Sequence, residues 1–206
     1  DISNDAGENL NGVFSGRFGD TTKVFASSNT KLYEYSSSTL DLTNISQAGN
    51  YSAGESGRWS TAQFGKVVLA ANGEEIVQAY TIGTSSNFAD LASAAPTAHF
   101  VSVVRDFVVC AKTNEEPNKV LWSDINDETD WSSGPTSQSD FQIIPDGGNI
   151  QGISGGEFAL IFLQKGISRM TYAGAPLYFQ FDTISRGLGC LESKSIAQYG
   201  NLSFFL

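Results

Sequence analysis

Gly152-Ile153-Ser154-Gly155-Gly156 has the G-x-S-x-G spacing of a serine nucleophile held on a tight elbow. That chemistry needs a strand-to-helix turn, and its acid and histidine follow the serine in the chain. The single histidine, His99, lies upstream, and no helical periodicity follows the serine, so the pentapeptide reads as a turn between two strands. Asp124, Asn126, Glu128 and Asp130 alternate like the oxygen ligands of a calcium loop. The glycine and the bidentate glutamate that an EF-hand loop requires are missing. The segment reads as a solvated acidic loop, with a loop cation as the weaker alternative. His99 has no second histidine to share a zinc ion or a proton relay, and it reads as a strand-edge residue.

Cys110 and Cys190 lie 80 positions apart, neither in a C-x-x-C pair. Cys110 sits in the apolar run Phe107–Ala111, where a thiol packs as a small hydrophobe, so two buried free thiols are expected rather than a disulfide. Trp59 and Trp122 are placed to fill the space between neighbouring sheets. Trp131 falls in a polar insertion, and with Asp124, Asp127 and Asp130 it forms the candidate partner-contact surface. The signatures of sialidase, quinoprotein and WD-type propellers are missing. No catalytic constellation and no cofactor are predicted.

The elements that position these residues recur along the chain. Turns at Gly19-Asp20, Phe64-Gly65, Arg105-Asp106 and Gly155-Gly156 are spaced 41 to 50 residues apart. The strands after them read Thr22–Ala26, Lys66–Ala71, Phe107–Ala111 and Phe158–Leu163. Third strands read Lys31–Tyr35, Ile76–Tyr80, Lys119–Ser123 and Ile167–Tyr172. A fifth copy begins at Ser195–Gln198 and turns at Tyr199-Gly200. A period of this length, with about four strands per unit, predicts an all-β, β-propeller-like fold of four-stranded antiparallel blades. The expected organisation is a polar arm over 1–12 and a propeller-like domain over 13–206. Its blades fall near 13–57, 58–98, 99–148 and 149–190, with a partial blade over 191–206. Ala71-Asn72-Gly73-Glu74 predicts a type I′ hairpin, and Asp127–Ser132 is expected to form at most a short helical turn. The chain starts without methionine and ends in a strand, which predicts a piece of a longer polypeptide.

The 206 residues carry 22 acidic and 12 basic side chains, a net charge of −10. Phosphate contacts come from lysine and arginine, so this balance argues against gripping nucleic acid, while leaving room for DNA to slide past. No targeting segment or apolar membrane-spanning run is evident.

Several stretches resemble a known family. They are Arg58–Gly65 closing at Ala71-Asn72-Gly73; Pro117–Asp127 running to Asp130-Trp131; Pro145-Asp146-Gly147-Gly148; Arg169-Met170-Thr171-Tyr172; and Gly187–Cys190. Together, over Arg58 to Leu206, they are similar to the tail nozzle or hub proteins of short-tailed bacteriophages, related to packaged-DNA stabilisation proteins. The resemblance implies a non-enzymatic virion protein of the phage tail. It implies a homo-oligomeric ring, usually six copies, below the head-to-tail adaptor, contacting tail fibre or spike proteins. Genomic DNA would pass through the channel without specific binding. The alternative is a propeller module that recognises a glycan or receptor through aromatics such as Trp131 and Tyr51; a propeller hydrolase is the third class, for which no clustered site is found.

Overall fold

A computed structural model describes residues 8–47, 49–52, 57–193, 195–199 and 202–206. Among them there is no helix. Blade 1 comprises β1 (Gly12–Phe18), β2 (Thr21–Ser27), β3 (Leu32–Ser36) and β4 (Asp41–Asn44). Blade 2 comprises β5 (Ser60–Phe64), β6 (Val67–Ala71), β7 (Gln78–Thr81) and β8 (Ala89–Asp90). Blade 3 comprises β9 (Phe100–Val104), β10 (Phe107–Ala111), β11 (Lys119–Trp122) and β12 (Asp140–Ile143). Blade 4 comprises β13 (Ile150–Ser154), β14 (Ala159–Leu163), β15 (Gly166–Gly174) and β16 (Tyr178–Arg186). Each is a four-stranded sheet with its strands in chain order, and a two-stranded hairpin, β17 (Ala197–Tyr199) and β18 (Leu202–Phe204), follows. The strand pairs within these sheets are antiparallel, and an isolated parallel bridge joins Val104 to Gly156. The fold is all-β and β-propeller-like, with four blades and the start of a fifth. The chain divides into two compact units, Asp1–His99 and Phe100–Leu206.

The second strands explain the architecture. β6 (VVLAA) and β10 (FVVCA) are buried at every position, because their alternate side chains go to two opposite faces and both faces are covered. Val68 and Ala70 join the cluster that holds Phe25 of blade 1. Phe107, Val109 and Ala111 join the cluster that holds Ala159, Ile161 and Leu163 of blade 4. The other half of β14, Leu160 and Phe162, packs with Ile196 and Phe205 at the hairpin. In β14 one set of alternate residues therefore faces forward to the hairpin, the other backward to blade 3.

The first turns of three blades share one form. Gly19-Asp20, Gly65-Lys66 and Arg105-Asp106 are two-residue links whose first residue has φ of 57°, 55° and 51°. Glycine adopts this left-handed region freely and arginine does not. Arg105 is held there by contacts with blade 4: its guanidinium lies 4.9 Å from the Tyr172 ring and its Nε 3.7 Å from Glu157.

Two local expectations are corrected. Asn72-Gly73 does not close a type I′ hairpin. Only Gly73 of the two has positive φ, because the Asn72 carboxamide instead accepts from the amides of Glu74 and Glu75, 2.9 Å each, and β7 starts at Gln78. Asp127–Ser132, where at most a short helical turn was expected, forms none: carboxylates of the segment capture nearby amides and hold successive turns. The fourth blade's first turn is not a two-residue Gly155-Gly156 link but a four-residue loop to β14 at Ala159.

Candidate functional site

The acidic insertion, 123–139, belongs to the second unit and leaves β11 at its buried end. Gln138 ties it back to the blades. Its backbone amide donates to Asp124 Oδ1 (2.7 Å), its carbonyl accepts from Trp122 Nε1 (2.7 Å), and its side-chain oxygen accepts from the Tyr172 hydroxyl (3.2 Å). Within the loop, Asp127 Oδ1 accepts from the Thr129 amide (2.9 Å) and hydroxyl (2.7 Å), and these bonds hold its carboxyl below the ordinary carboxylate range. Asp130 Oδ1 accepts from the Ser132 amide (2.9 Å). Trp131 is half-buried and donates to the Glu128 carbonyl (2.8 Å). The structure thus gathers Asp124, Asp127, Asp130 and Trp131 on one loop, and each has a local structural bond. Among the described residues, no group of three or more His, Cys, Asp or Glu side chains is arranged to hold a metal ion.

Ser154 is not poised as a nucleophile. It ends β13, and its hydroxyl donates to the Gln198 side-chain oxygen on the hairpin. Of the three glycines in the pentapeptide, Gly156 answers to its φ of 132°, whereas Gly152 and Gly155 are there for space. A Cβ on Gly152 would lie 2.2 Å from Ile196 Cδ1, and one on Gly155 would lie 2.2 Å from the Val103 carbonyl oxygen. His99 is buried at the end of the first unit, where its ring fills the place of the missing Gly73 side chain. Both cysteines are free and buried, and burial pushes the Cys110 thiol far above its ordinary value, which suppresses the reactive thiolate.

The tryptophans divide as their sequence context suggests. Trp122 is buried, with ring centroids 5.1 Å from Phe179 and 6.1 Å from Phe181 of blade 4. Trp59, just before β5, donates to the Ser28 carbonyl of blade 1 (3.0 Å) and stacks edge-on with Tyr51 at 5.0 Å. Both join one blade to another within a unit.

Two features had no forecast. A cavity of about 250 Å³ in the second unit brings Asp146, Lys165 and Arg186 together with Ser168, Thr183 and Ser185. Lys165 and Arg186 stand 21 positions apart and only the β15–β16 pairing aligns them. An apolar groove of about 270 Å³ lies on blade 1 between Leu10, Val13, Val24, Ala26, Tyr35 and Leu42. Its signal was present in the alternation of β2 and β3, whose apolar residues occupy both faces.

No protein-family model matches the chain. No curated protein matches it either. Among solved structures it is similar to a crystal structure of BBS1N in complex with ARL6DN, with a TM-score of 0.52 and 10% sequence identity over 96% of this chain and 61% of that one. The matched neighbour is a β-propeller, and at this identity the likeness shows the fold alone. No helix among the described residues is long and apolar enough to cross a membrane.

Proposed function

We propose that the chain is a non-enzymatic structural module that works by docking other proteins, and that its place is the tail nozzle or hub of a short-tailed phage virion. The observation that carries the first half is the fate of the chemically capable side chains. Ser154 is bonded to Gln198, His99 packs on the Gly73 turn, and the carboxylates of the acidic loop hold backbone amides. Large exposed apolar residues, by contrast, include Val13, Tyr199 and Leu202. The second half is supported by the family resemblance. All five of its stretches have structural duties here: Trp59 and Gln63 bond to blade 1; the Pro117 carbonyl receives the Ile150 amide at the start of blade 4, Gly147 accepts from the Lys165 amide, and the Cys190 amide donates to Leu163; Tyr172 holds Gln138. In this reading the chain forms a ring, six copies as the resemblance implies, beneath a head-to-tail adaptor, and fibre or spike proteins attach to it. The net charge of −10 keeps a DNA-facing wall from gripping the genome.

Cryo-electron microscopy of purified particles tests this reading. A ring of this chain at the tail is the expected result; its absence from the particles overturns it. The alternative, a glycan- or receptor-binding module, is favoured by one observation, the half-buried Trp131 on an acidic loop. It predicts binding on a glycan array that Trp131→Ala abolishes.

A further inference from the structure

The cavity of about 250 Å³ in the second unit is walled by the link from blade 3 to blade 4, the β14–β15 turn and the β15–β16 pair. Strict alternation along β16 would put Arg186 on the face opposite to Thr183 and Ser185. The β15–β16 register slips between Ile167 and Ser168, which leaves Ile184 without a partner across the ladder. Such a bulge re-aims the side chains beside it, and here Thr183, Ser185 and Arg186 all line the cavity. Backbone bonds fix the turn that carries Lys165. Its amide donates to the Gly147 carbonyl and its carbonyl accepts from the Gly187 amide, 2.8 Å each. Gly166 leaves the wall bare: a Cβ there would lie 3.1 Å from the Ser185 carbonyl oxygen and 4.0 Å from the Gly147 Cα.

The charges in the cavity do not neutralise one another. Arg105, Lys119 and Arg169 of the same unit each pair with a carboxylate. Lys165 and Arg186 form no ion pair with any carboxylate among the described residues, Asp146 included. Two hydroxyls share the space with them. Ser168 is buried, and its hydroxyl reaches the Asp182 carbonyl only at 3.4 Å. A buried hydroxyl ordinarily makes a shorter bond than that.

Two unpaired cations with hydroxyl donors suit an oxyanion. The chain carries a net charge of −10 and as a whole repels anions, so an anion is held here only by these local groups. The volume lies below the range of about 300–1,000 Å³ that holds drug-sized ligands, which selects a small one. Asp146 narrows the class further. An ionised carboxylate only accepts hydrogen bonds, so it repels an anion that brings it no hydrogen. Hydrogen phosphate brings one, and a phosphate ester of a small polyol brings a hydroxyl. Sulfate and ionised carboxylates bring none.

We propose that this cavity binds a small phosphate, with Lys165 and Arg186 holding the anion and Asp146 accepting a hydrogen from it or from the group it esterifies. The inference goes beyond the proposed function and does not rest on it.

The test is a titration of the 206-residue chain with sodium phosphate at constant ionic strength, followed by NMR at the amides of Lys165, Gly166 and Gly187. Glycerol phosphate, sulfate and acetate are titrated in parallel. Saturable shifts at these amides are expected with phosphate, at a Kd of about 1 mM or tighter, with sulfate and acetate at least about tenfold weaker. Glycerol phosphate binding tighter than phosphate assigns the site to a phosphorylated small molecule; the reverse order assigns it to the free anion. Lys165→Gln and Arg186→Gln are each expected to weaken phosphate about tenfold, the loss of a charged hydrogen-bond partner. Both side chains are exposed, and the amide spectra show whether each variant folds. Asp146→Asn can donate as well as accept, so in that variant sulfate is expected to bind as well as phosphate. Shifts that do not saturate, glutamine variants that bind like the parent, or a parent that takes sulfate as readily as phosphate would each mean an adventitious ion only and overturn the proposal. The virion reading fails by a different result, absence of the chain from particles.

Discussion

The contact between blades 1 and 2 and the contact between blades 3 and 4 solve one problem in two ways. The first strand of each leading blade is an edge, with backbone groups that have no ladder partner. In blade 1 the open groups of Arg17 are met by a side chain: its amide donates to Gln63 Oε1 (3.0 Å), and its carbonyl accepts from Gln63 Nε2 (2.7 Å). In blade 3 they are met by backbone. The Val103 carbonyl accepts from the Gly156 amide (2.9 Å), and the Arg105 amide donates to the Gly156 carbonyl (2.8 Å). A glutamine spans the gap between sheets at a distance. A backbone contact requires the loop itself to arrive, which explains the longer link after β13 and the side-chain-free Gly155 against Val103. The serine-elbow spacing has two separate causes: Gly152 leaves room for Ile196, and Gly156 holds a φ of 132°. At this edge the contact between blades 3 and 4 depends on tight approach, that between blades 1 and 2 on polar reach.

The deepest test of the second unit is Trp122→Ala. The ring fills the space between blades 3 and 4 against Phe179, and its Nε1 satisfies the Gln138 carbonyl. Truncation is expected to cost about 3–5 kcal/mol in denaturant unfolding. It should also loosen the acidic insertion, readable as faster amide exchange across 123–139. A cost below about 1 kcal/mol would mean that this face is not a packed core.

Gly155→Ala comes next. The added Cβ would meet the Val103 carbonyl oxygen and Ser102 Oγ, 2.2 and 2.3 Å away, and the first is backbone that cannot swing aside. About 1–3 kcal/mol of destabilisation is expected. Gly16→Ala supplies the contrast, because its nearest obstacles are the Val68 and Ile82 side-chain ends at 2.4 and 3.1 Å, which can shift. A larger loss at Gly16 than at Gly155 would reverse the comparison between units.

These two positions also mark how far sequence reasoning reaches. β10 was readable to the residue, because an unbroken apolar run between two turns leaves little choice. Trp59 and Trp122 declared themselves as packing residues by falling within the repeats rather than in the polar insertion. The fourth strands left almost no trace: β12 is exposed at every position and β8 has two residues, so neither carries an alternating signal. The roles of Gly152 and Gly155 were hidden, since Ile196 and Val103 lie 44 and 52 positions away and only the fold brings them near. The asparagine of Asn72-Gly73 misled because its carboxamide had closer amides to bind than a hairpin would offer. One signal went unread: Ala62-Gln63-Phe64-Gly65 returns as Ala197-Gln198-Tyr199-Gly200, and both glutamines reach backward to the preceding blade.

The first unit's polar reach has a buried counterpart at Tyr51. Its hydroxyl donates to Gln78 Oε1 (2.9 Å) and accepts from the Gln47 amide (2.8 Å), and burial pushes its pKa from the ordinary value of 10.0 to about 12. A raised tyrosine pKa means that the folded state keeps a proton the unfolded chain releases. Its stability contribution is complete below pH 10 and lost as pH rises towards 12. Tyr51→Phe is expected to cost about 1–2 kcal/mol at neutral pH and to flatten the alkaline fall measured by thermal melts between these limits. An unchanged alkaline profile would assign the fall to another group.

The smallest effect is expected at the residue that defines the comparison. Gln63→Ala leaves the Arg17 amide and carbonyl to water, and because that edge is exposed, solvent replaces most of what the glutamine supplied. About 0.5–1 kcal/mol is expected in global unfolding, the ordinary net worth of a hydrogen bond with a solvated alternative. The sharper readout is local: the Arg17 amide should exchange markedly faster, while Val68 and Ala70, inside the same sheet pair, keep their protection. If the global loss instead matched that of Gly155→Ala, the side-chain bridge would be as indispensable as the backbone one. The two units would then differ in chemistry but not in how strongly each blade depends on its neighbour.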